Sequence, residues 1–216
     1  MNDNNTPSAT DIAPDSHSSP LTGAVFWIAI LFSAYQIWMA SFHPFSSQVI
    51  RALHVSFVLL MIFTLYPPMD GRNAGWRALG WVLGIAGFAT GLYQWYFEAD
   101  LTQRAGELTS ADWVVGTVAV ALVFEAARRV MGWGLPLICL IFLAYAVFGQ
   151  HLPGALAHRG YGLDQIIGQL GMGLEGIYGT PTYVSSTYIF LFILFGAFLE
   201  QAGMIRLFND FAMGTV

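Results

Sequence analysis

The side chains of this 216-residue chain with the chemistry to hold a metal, move a proton or attack a substrate are five histidines, thirteen acids and one cysteine. His43, His54, His151 and His158 flank or enter apolar runs, which invites a haem or metal reading. Their spacing argues against it. His54 stands alone in its run, His151 and His158 share a connection with no third ligand at helical spacing, and neither H-E-x-x-H nor C-x-x-C-H occurs. Hydrogen bonding at a membrane interface is the better role for them. Glu98, Asp100 and Asp112 read as connection charges, and no apolar run holds the paired carboxylates that a proton relay needs. Cys139 has no partner for a disulfide or a thiolate metal site and reads as a small core residue. Neither a catalytic residue nor a bound cofactor is expected, so the chain is not read as an enzyme.

Two patterns remain. Thr180-Pro181-Thr182-Tyr183-Val184-Ser185-Ser186-Thr187 opens an apolar run with a proline followed by hydroxyls. Such hydroxyls cap a helix start or bond across to a neighbouring helix, and proline-marked starts also form ion sites in transporters. Capping is the plainer role; a substrate or cation site at Ser185, Ser186 and Thr187 is the other. The second pattern is Gly80, Gly84, Gly87 and Gly91, whose small-x-x-x-small spacing lets two helix backbones approach closely.

The elements that must position these residues follow from composition. The chain is 56% apolar and 10% charged, against roughly 25% charged for a soluble domain. Uncharged windows run over Ala52–Met69, Ala78–Phe97, Val130–His158 and Gly176–Leu199. The solvent is therefore a bilayer. All eight basic residues are arginine and net charge is −5, so no basic stripe exists to neutralise a nucleic-acid backbone. The fold class is an all-α integral membrane protein.

Residues 1–20 are polar and lack the positive start of a secretory signal, so they read as a disordered cytoplasmic tail. Six transmembrane helices are expected, over Leu21–Ala40, Ile50–Tyr66, Ala78–Phe97, Trp113–Ala127, Met131–Phe148 and Tyr183–Leu199, because about 20 apolar residues cross a bilayer core. Glu125 near the end of the fourth can pair with Arg128 and Arg129. With the N-terminus inside, five arginines fall on cytoplasmic connections and three outside, which favours that orientation. The acidic connection Glu98–Asp112 and the long one, Gly149–Thr182, then face the periplasm. In the latter, Leu163, Ile166, Ile167, Leu170, Leu174, Ile177 and Tyr178 recur at spacings of three and four, predicting one interfacial amphipathic helix over Gly162–Tyr178. Composition divides the chain into the tail, a four-helix unit over residues 21–130 and a second part over residues 131–216.

The second part carries a resemblance. Gly132-Trp133-Gly134-Leu135-Pro136, Tyr145-Ala146-Val147-Phe148-Gly149, Pro153-Gly154 with His158-Arg159-Gly160, Gly176-Ile177-Tyr178-Gly179-Thr180-Pro181, and the run Val184–Leu199 resemble the start of the large permease segment of TRAP transporters. The nearest type is the fused permease that works with TAXI-type binding proteins, in which a unit like the small membrane subunit stands in front. Ser186 replaces an alanine common in relatives. The resemblance implies a component of the bacterial inner membrane that imports an organic anion such as a dicarboxylate with Na⁺ or H⁺ symport. It also implies a periplasmic TAXI-type solute-binding protein as partner, besides the membrane lipid. Relatives run on through hairpins that hold the substrate and cation sites, whereas this chain stops at Val216, so an N-terminal portion is expected. The alternative is a truncated, non-transporting membrane scaffold or assembly protein.

Overall fold

A computed structural model describes residues 20–67, 74–104 and 106–214. The polar tail, Pro20 apart, and the Pro68-to-Gly71 part of the second connection lie outside them. Six long helices stand where the six apolar runs predict them: α1 (Pro20–Phe42), α2 (Ser47–Leu65), α3 (Ala74–Tyr96), α5 (Ser110–Met131), α6 (Gly134–Phe148) and a composite helix from Thr180 to Gln201. Short helices complete the set: α4 (Glu98–Gln103) and α7 (Leu163–Ile167). The composite helix divides into α8 (Thr180–Val184), a π-helical turn (Ser185–Ile189) and α9 (Phe190–Gln201), and α10 (Met204–Gly214) follows it. No strand occurs among the described residues.

Length and apolarity together qualify four of these helices to cross a membrane, over Gly23–Phe42, Ser47–Leu65, Gly134–His151 and Thr180–Gln201. The expected count of six is corrected accordingly. The two helices that fall short are α3 and α5. The first dilutes its apolar character with Arg77, Gln94 and a row of glycines, and the second carries Asp112, Glu125, Arg128 and Arg129.

The tightest packing in the molecule joins α2 to α3, and the glycines of α3 explain it. A Cβ added at Gly80 would stand 2.5 Å from the Phe63 carbonyl oxygen, one at Gly87 2.9 Å from the Leu59 Cβ, and one at Gly91 would collide with the Ser56 hydroxyl. Gly84 meets Leu60 in the same way at 3.1 Å. Absence of side chains on that face of α3 is what brings the two backbones together. Against this pair packs α5, adding Leu122 and Ala126 to Leu59 and Phe63 in a small buried core.

Each end of α5 is fixed by charge. At its start Thr109 and Asp112 form a reciprocal capping box, which satisfies two N–H groups that the helix cannot bond internally. At its end Glu125 accepts from both Arg128 and Arg129, at 2.7 Å each. Arg129 also donates to the Tyr66 carbonyl at 3.0 Å, closing the C-terminal end of α2, where a cation is favoured by the helix dipole. Gly132, with φ of +76°, then turns the chain into α6.

By contrast α6 has little of its surface covered. Leu137, Ile138, Ile141 and Phe142 are exposed. Cys139 is exposed too, which corrects the core assignment: an apolar run of this length is buried by lipid as readily as by protein.

The amphipathic segment departs most from expectation. Instead of one helix over Gly162–Tyr178, α7 widens into a π-helical turn at Gly168–Met172, and the chain then folds back on itself. The Ile177 N–H donates to the Leu170 carbonyl at 2.9 Å. Gly176 lies so close to Leu170 that a Cβ there would collide with the Leu170 backbone. The glycines that weaken a continuous helix here permit a compact reversal.

Candidate functional site

The reversal, the composite helix and the first helices meet along a seam of polar side chains. Gln36 of α1, His54 and Ser56 of α2, Thr90 and Gln94 of α3, and Ser186 of the π-helical turn are all buried. The seam has three linked parts.

In the first, the imidazole of His54 bridges two elements. Its Nδ1 lies 2.7 Å from the Gln36 amide nitrogen and its Nε2 3.2 Å from the Ser185 hydroxyl. An amide N–H donating to Nδ1 leaves the proton on Nε2, so Ser185 accepts from the ring. Phe32, stacked on Phe57 with centroids 5.0 Å apart, and Phe190, 4.7 Å from Phe32, wall this pair with aromatic surface.

In the second, Arg51 lies inside α2, half-buried. Its guanidinium donates to the Tyr178 carbonyl at 2.8 Å and sits 4.8 Å from the centre of the Tyr183 ring. A cation over an aromatic face is attracted by the ring quadrupole. This arginine therefore holds both ends of the turn that leads into the composite helix.

In the third, Gln94 donates to the Gly171 carbonyl at 3.0 Å and accepts from Gln48 at 3.2 Å. Tyr178, 1% exposed, is among the largest fully buried side chains. Burial pushes its hydroxyl up to about 12, opposed by hydrogen bonds with Thr90 and Gln94. Gly171 rests on Gly116 of α5, where an added Cβ would be 2.8 Å from the Gly116 carbonyl oxygen.

Of the three hydroxyls singled out from sequence, only that of Ser185 reaches another element. Ser186 and Thr187 donate back to the Tyr183 carbonyl at 2.9 and 2.7 Å. None of them caps the composite helix, whose start at Gly179 has no side-chain cap and carries Pro181 in its first turn. The capping role is thereby corrected: all three sit a full turn too late to reach the free N–H groups. Gly80, Gly84, Gly87 and Gly91 lie on the α2 face, away from the Ser185 turn except through Ser56. His158 is held locally, its ring near the Tyr145 carbonyl at 3.0 Å and accepting from the Gly160 N–H at 3.1 Å.

The sequence reading missed Gln36, Gln48, Arg51, Thr90, Gln94 and Tyr178. A signal was present for two of them: Gln36 and Gln94 are amides within runs otherwise fit for a bilayer, where a polar group needs a partner.

A second feature is a groove of about 1000 Å³ beside the reversal, lined among others by Arg104, Glu107, Tyr161, Asp164, Gln169 and Glu175. Arg104 is committed to Asp112, 3.0 Å away. Burial alone would raise the Asp112 carboxyl, but hydrogen bonds from Thr109 and Tyr93, with the Arg104 charge, outweigh it and hold it below the usual carboxylate range.

The arrangement is suited to joining two groups of helices through hydrogen bonds and one arginine–ring contact, with π-helical turns of the kind that mark functional positions in other helices. One family comparison now bears on it. Residues 118–216 match the family model of the tripartite ATP-independent periplasmic transporter, DctM component. That is a transporter family, not an enzyme family. The match begins within α5 and takes in α6, the reversal, the composite helix and α10, so it contains Tyr178 and Ser185 and stops short of Arg51, His54 and Gln94. No curated protein and no solved structure matches the chain. The apolar helices make the protein membrane-integral.

Proposed function

We propose that this chain is a membrane component of a TRAP-type secondary transporter, importing an organic anion such as a dicarboxylate with Na⁺ or H⁺ symport. In this reading a periplasmic solute-binding protein of the TAXI type delivers the anion, and the membrane is the bacterial inner membrane. The observation that carries it is the DctM match over residues 118–216. Residues 21–130 serve in this reading as a small-subunit-like unit fused in front, held to the matched part by Arg51 and Gln94. Ser185, through His54, is the hydroxyl best placed to feel a change in that seam.

The test is uptake of radiolabelled dicarboxylates by cells in which the encoding gene is deleted and then restored. Restoration should recover uptake that falls when Na⁺ is withdrawn or a protonophore is added. Uptake indifferent to the gene, together with failure of the purified protein to bind any secreted binding protein of the same cell, would overturn the reading in favour of a scaffold role.

A further inference from the structure

The contacts that Arg51 makes leave most of its guanidinium unused. That group has five N–H donors. Among the described residues one of them is bonded, to the Tyr178 carbonyl at 2.8 Å, while the Tyr183 ring lies 4.8 Å away over one face. The Nε is buried with no acceptor. A buried donor without a partner carries its whole desolvation cost, and more so when it is charged.

What the surroundings lack is negative charge. Arg51 stands in a helix fit to cross a membrane, where a cation persists by pairing with an acid or with carbonyls. Arg104, Arg128 and Arg129 each meet a carboxylate, at 3.0, 2.7 and 2.7 Å, but Arg51 belongs to none of the ion pairs among the described residues. Nor do the neighbouring elements offer one. α1, α2 and α3 contain no acid, and that of the composite helix is Glu200, near its far end. Glu175, three residues before Tyr178, is exposed and lines the groove instead. Two helix starts add to the imbalance. Arg51 is the fifth residue of α2, and its two contacts bracket the start of the composite helix at Thr180, which has no side-chain cap. Helix starts carry partial positive charge, so the local field opposes a lone cation and attracts an anion.

We propose that Arg51 is an oxyanion site, which takes one carboxylate or phosphate group on the N–H donors that Tyr178 leaves free. The planar guanidinium fork matches two oxygens of either group. The turn beside it is open, since Thr180 and Pro181 are exposed and Arg51 itself is only half-buried. A small soluble anion and a lipid headgroup share this chemistry. The site stands apart from the transporter reading, because it rests on contacts of Arg51 and its test measures binding rather than uptake.

The test uses the full chain with isotope-labelled arginine in dodecyl maltoside, a detergent without charge. The Arg51 Nε–H resonance is the one lost in Arg51→Lys. Should that variant not fold, Tyr183→Leu identifies the same resonance by removing the ring beside it. Succinate, inorganic phosphate and dihexanoyl phosphatidylglycerol are titrated separately against sodium chloride at matched ionic strength. The Arg51 resonance should shift saturably with at least one of the three and not with chloride. Saturation by phosphatidylglycerol alone would identify a lipid headgroup as the source, and saturation by succinate or phosphate a soluble anion. In Arg51→Lys, which keeps the charge and loses the fork, the same probe should raise the unfolding temperature only at about tenfold higher concentration. A resonance that no probe moves, or that chloride moves equally, would overturn the proposal. So would a thermal shift unchanged in Arg51→Lys, which would put the bound anion elsewhere.

Discussion

Replacing Gly80 by alanine sets two effects of opposite sign against each other, and the structure decides between them. Within a helix, alanine is favoured over glycine by about 1 kcal/mol. At Gly80 that gain is opposed by contact, because the new Cβ would stand 2.5 Å from the Phe63 carbonyl oxygen. Close carbon–oxygen contacts settle at roughly 3.3–3.6 Å, so α3 must retreat from α2 by about 1 Å. A gap of that size forfeits roughly a quarter to a half of each dispersion contact along the seam, and forced overpacking costs typically about 1–3 kcal/mol. The opposing atom is backbone and cannot swing aside. Net destabilisation of up to about 2 kcal/mol follows once the helix gain is subtracted. Gly196, in the interior of α9, is the control, since an added Cβ there meets nothing within 4 Å. Gly196→Ala should be neutral or stabilising by up to about 1 kcal/mol. Reversible unfolding of both variants in bicelles, followed by tryptophan fluorescence, reads the difference. Gly80→Ala as stable as Gly196→Ala would refute the claim that α2 and α3 meet through the bare face of α3.

Three further outcomes are expected. Asp112→Ala should cost about 2–3 kcal/mol by leaving Thr109, Tyr93 and Arg104 without their acceptor. Because the Asp112 carboxyl is held below its usual range when folded, its contribution is complete above about pH 4 and fades as pH falls further, so the native protein should lose stability in acid more steeply than Asp112→Asn; parallel acid profiles would contradict the assignment. Tyr178→Phe should weaken docking of the reversal by about 1 kcal/mol, seen as faster amide exchange over residues 163–179 with α9 unchanged. If the transporter reading holds, Ser185→Ala should slow uptake while Thr187→Ala leaves it near wild type, since only the first hydroxyl touches another helix; equal effects would remove the seam from the mechanism.

How far the sequence reveals this molecule differs by feature. Six helices were legible because their apolar runs are long and their ends carry breakers, such as Ser110 with Asp112 and Pro153 with Gly154. The Glu125–Arg128–Arg129 group was legible because partners three and four residues apart share a helix face. Which runs suit a bilayer was less so: the length rule counts residues, while α3 and α5 differ from the other four by what their charges, amides and glycines subtract. The seam was invisible because its bonds span 18 to 131 positions of sequence, and local spacing carries no information about partners that distant.

The segment over Gly162–Tyr178 shows how a correct pattern yields a wrong element. Its apolar residues do recur at helical spacing, and Ile166, Ile167 and Leu170 are half-buried while Gln165 and Gln169 are exposed, as one stripe requires. Periodicity records which side of the chain is covered, not by what, and not whether the helix continues. Here the cover is protein: Ile167 stands 2.9 Å from where a Cβ on Gly116 would be, and Met172 lies buried beside it. The glycines decide the rest. Gly171 approaches the α5 backbone more closely than any residue with a side chain allows, and Gly176 permits the fold-back onto Leu170. Residues that cost an isolated helix about 1 kcal/mol each are thus the ones that admit this segment to the bundle. Once it is inside, Tyr178 falls beneath Thr90 and Gln94, and its carbonyl comes within reach of Arg51. The start of the composite helix, with Ser185 facing His54, is set by that docking, so any movement of the reversal is transmitted to α2 through two hydrogen bonds and one cation–ring contact.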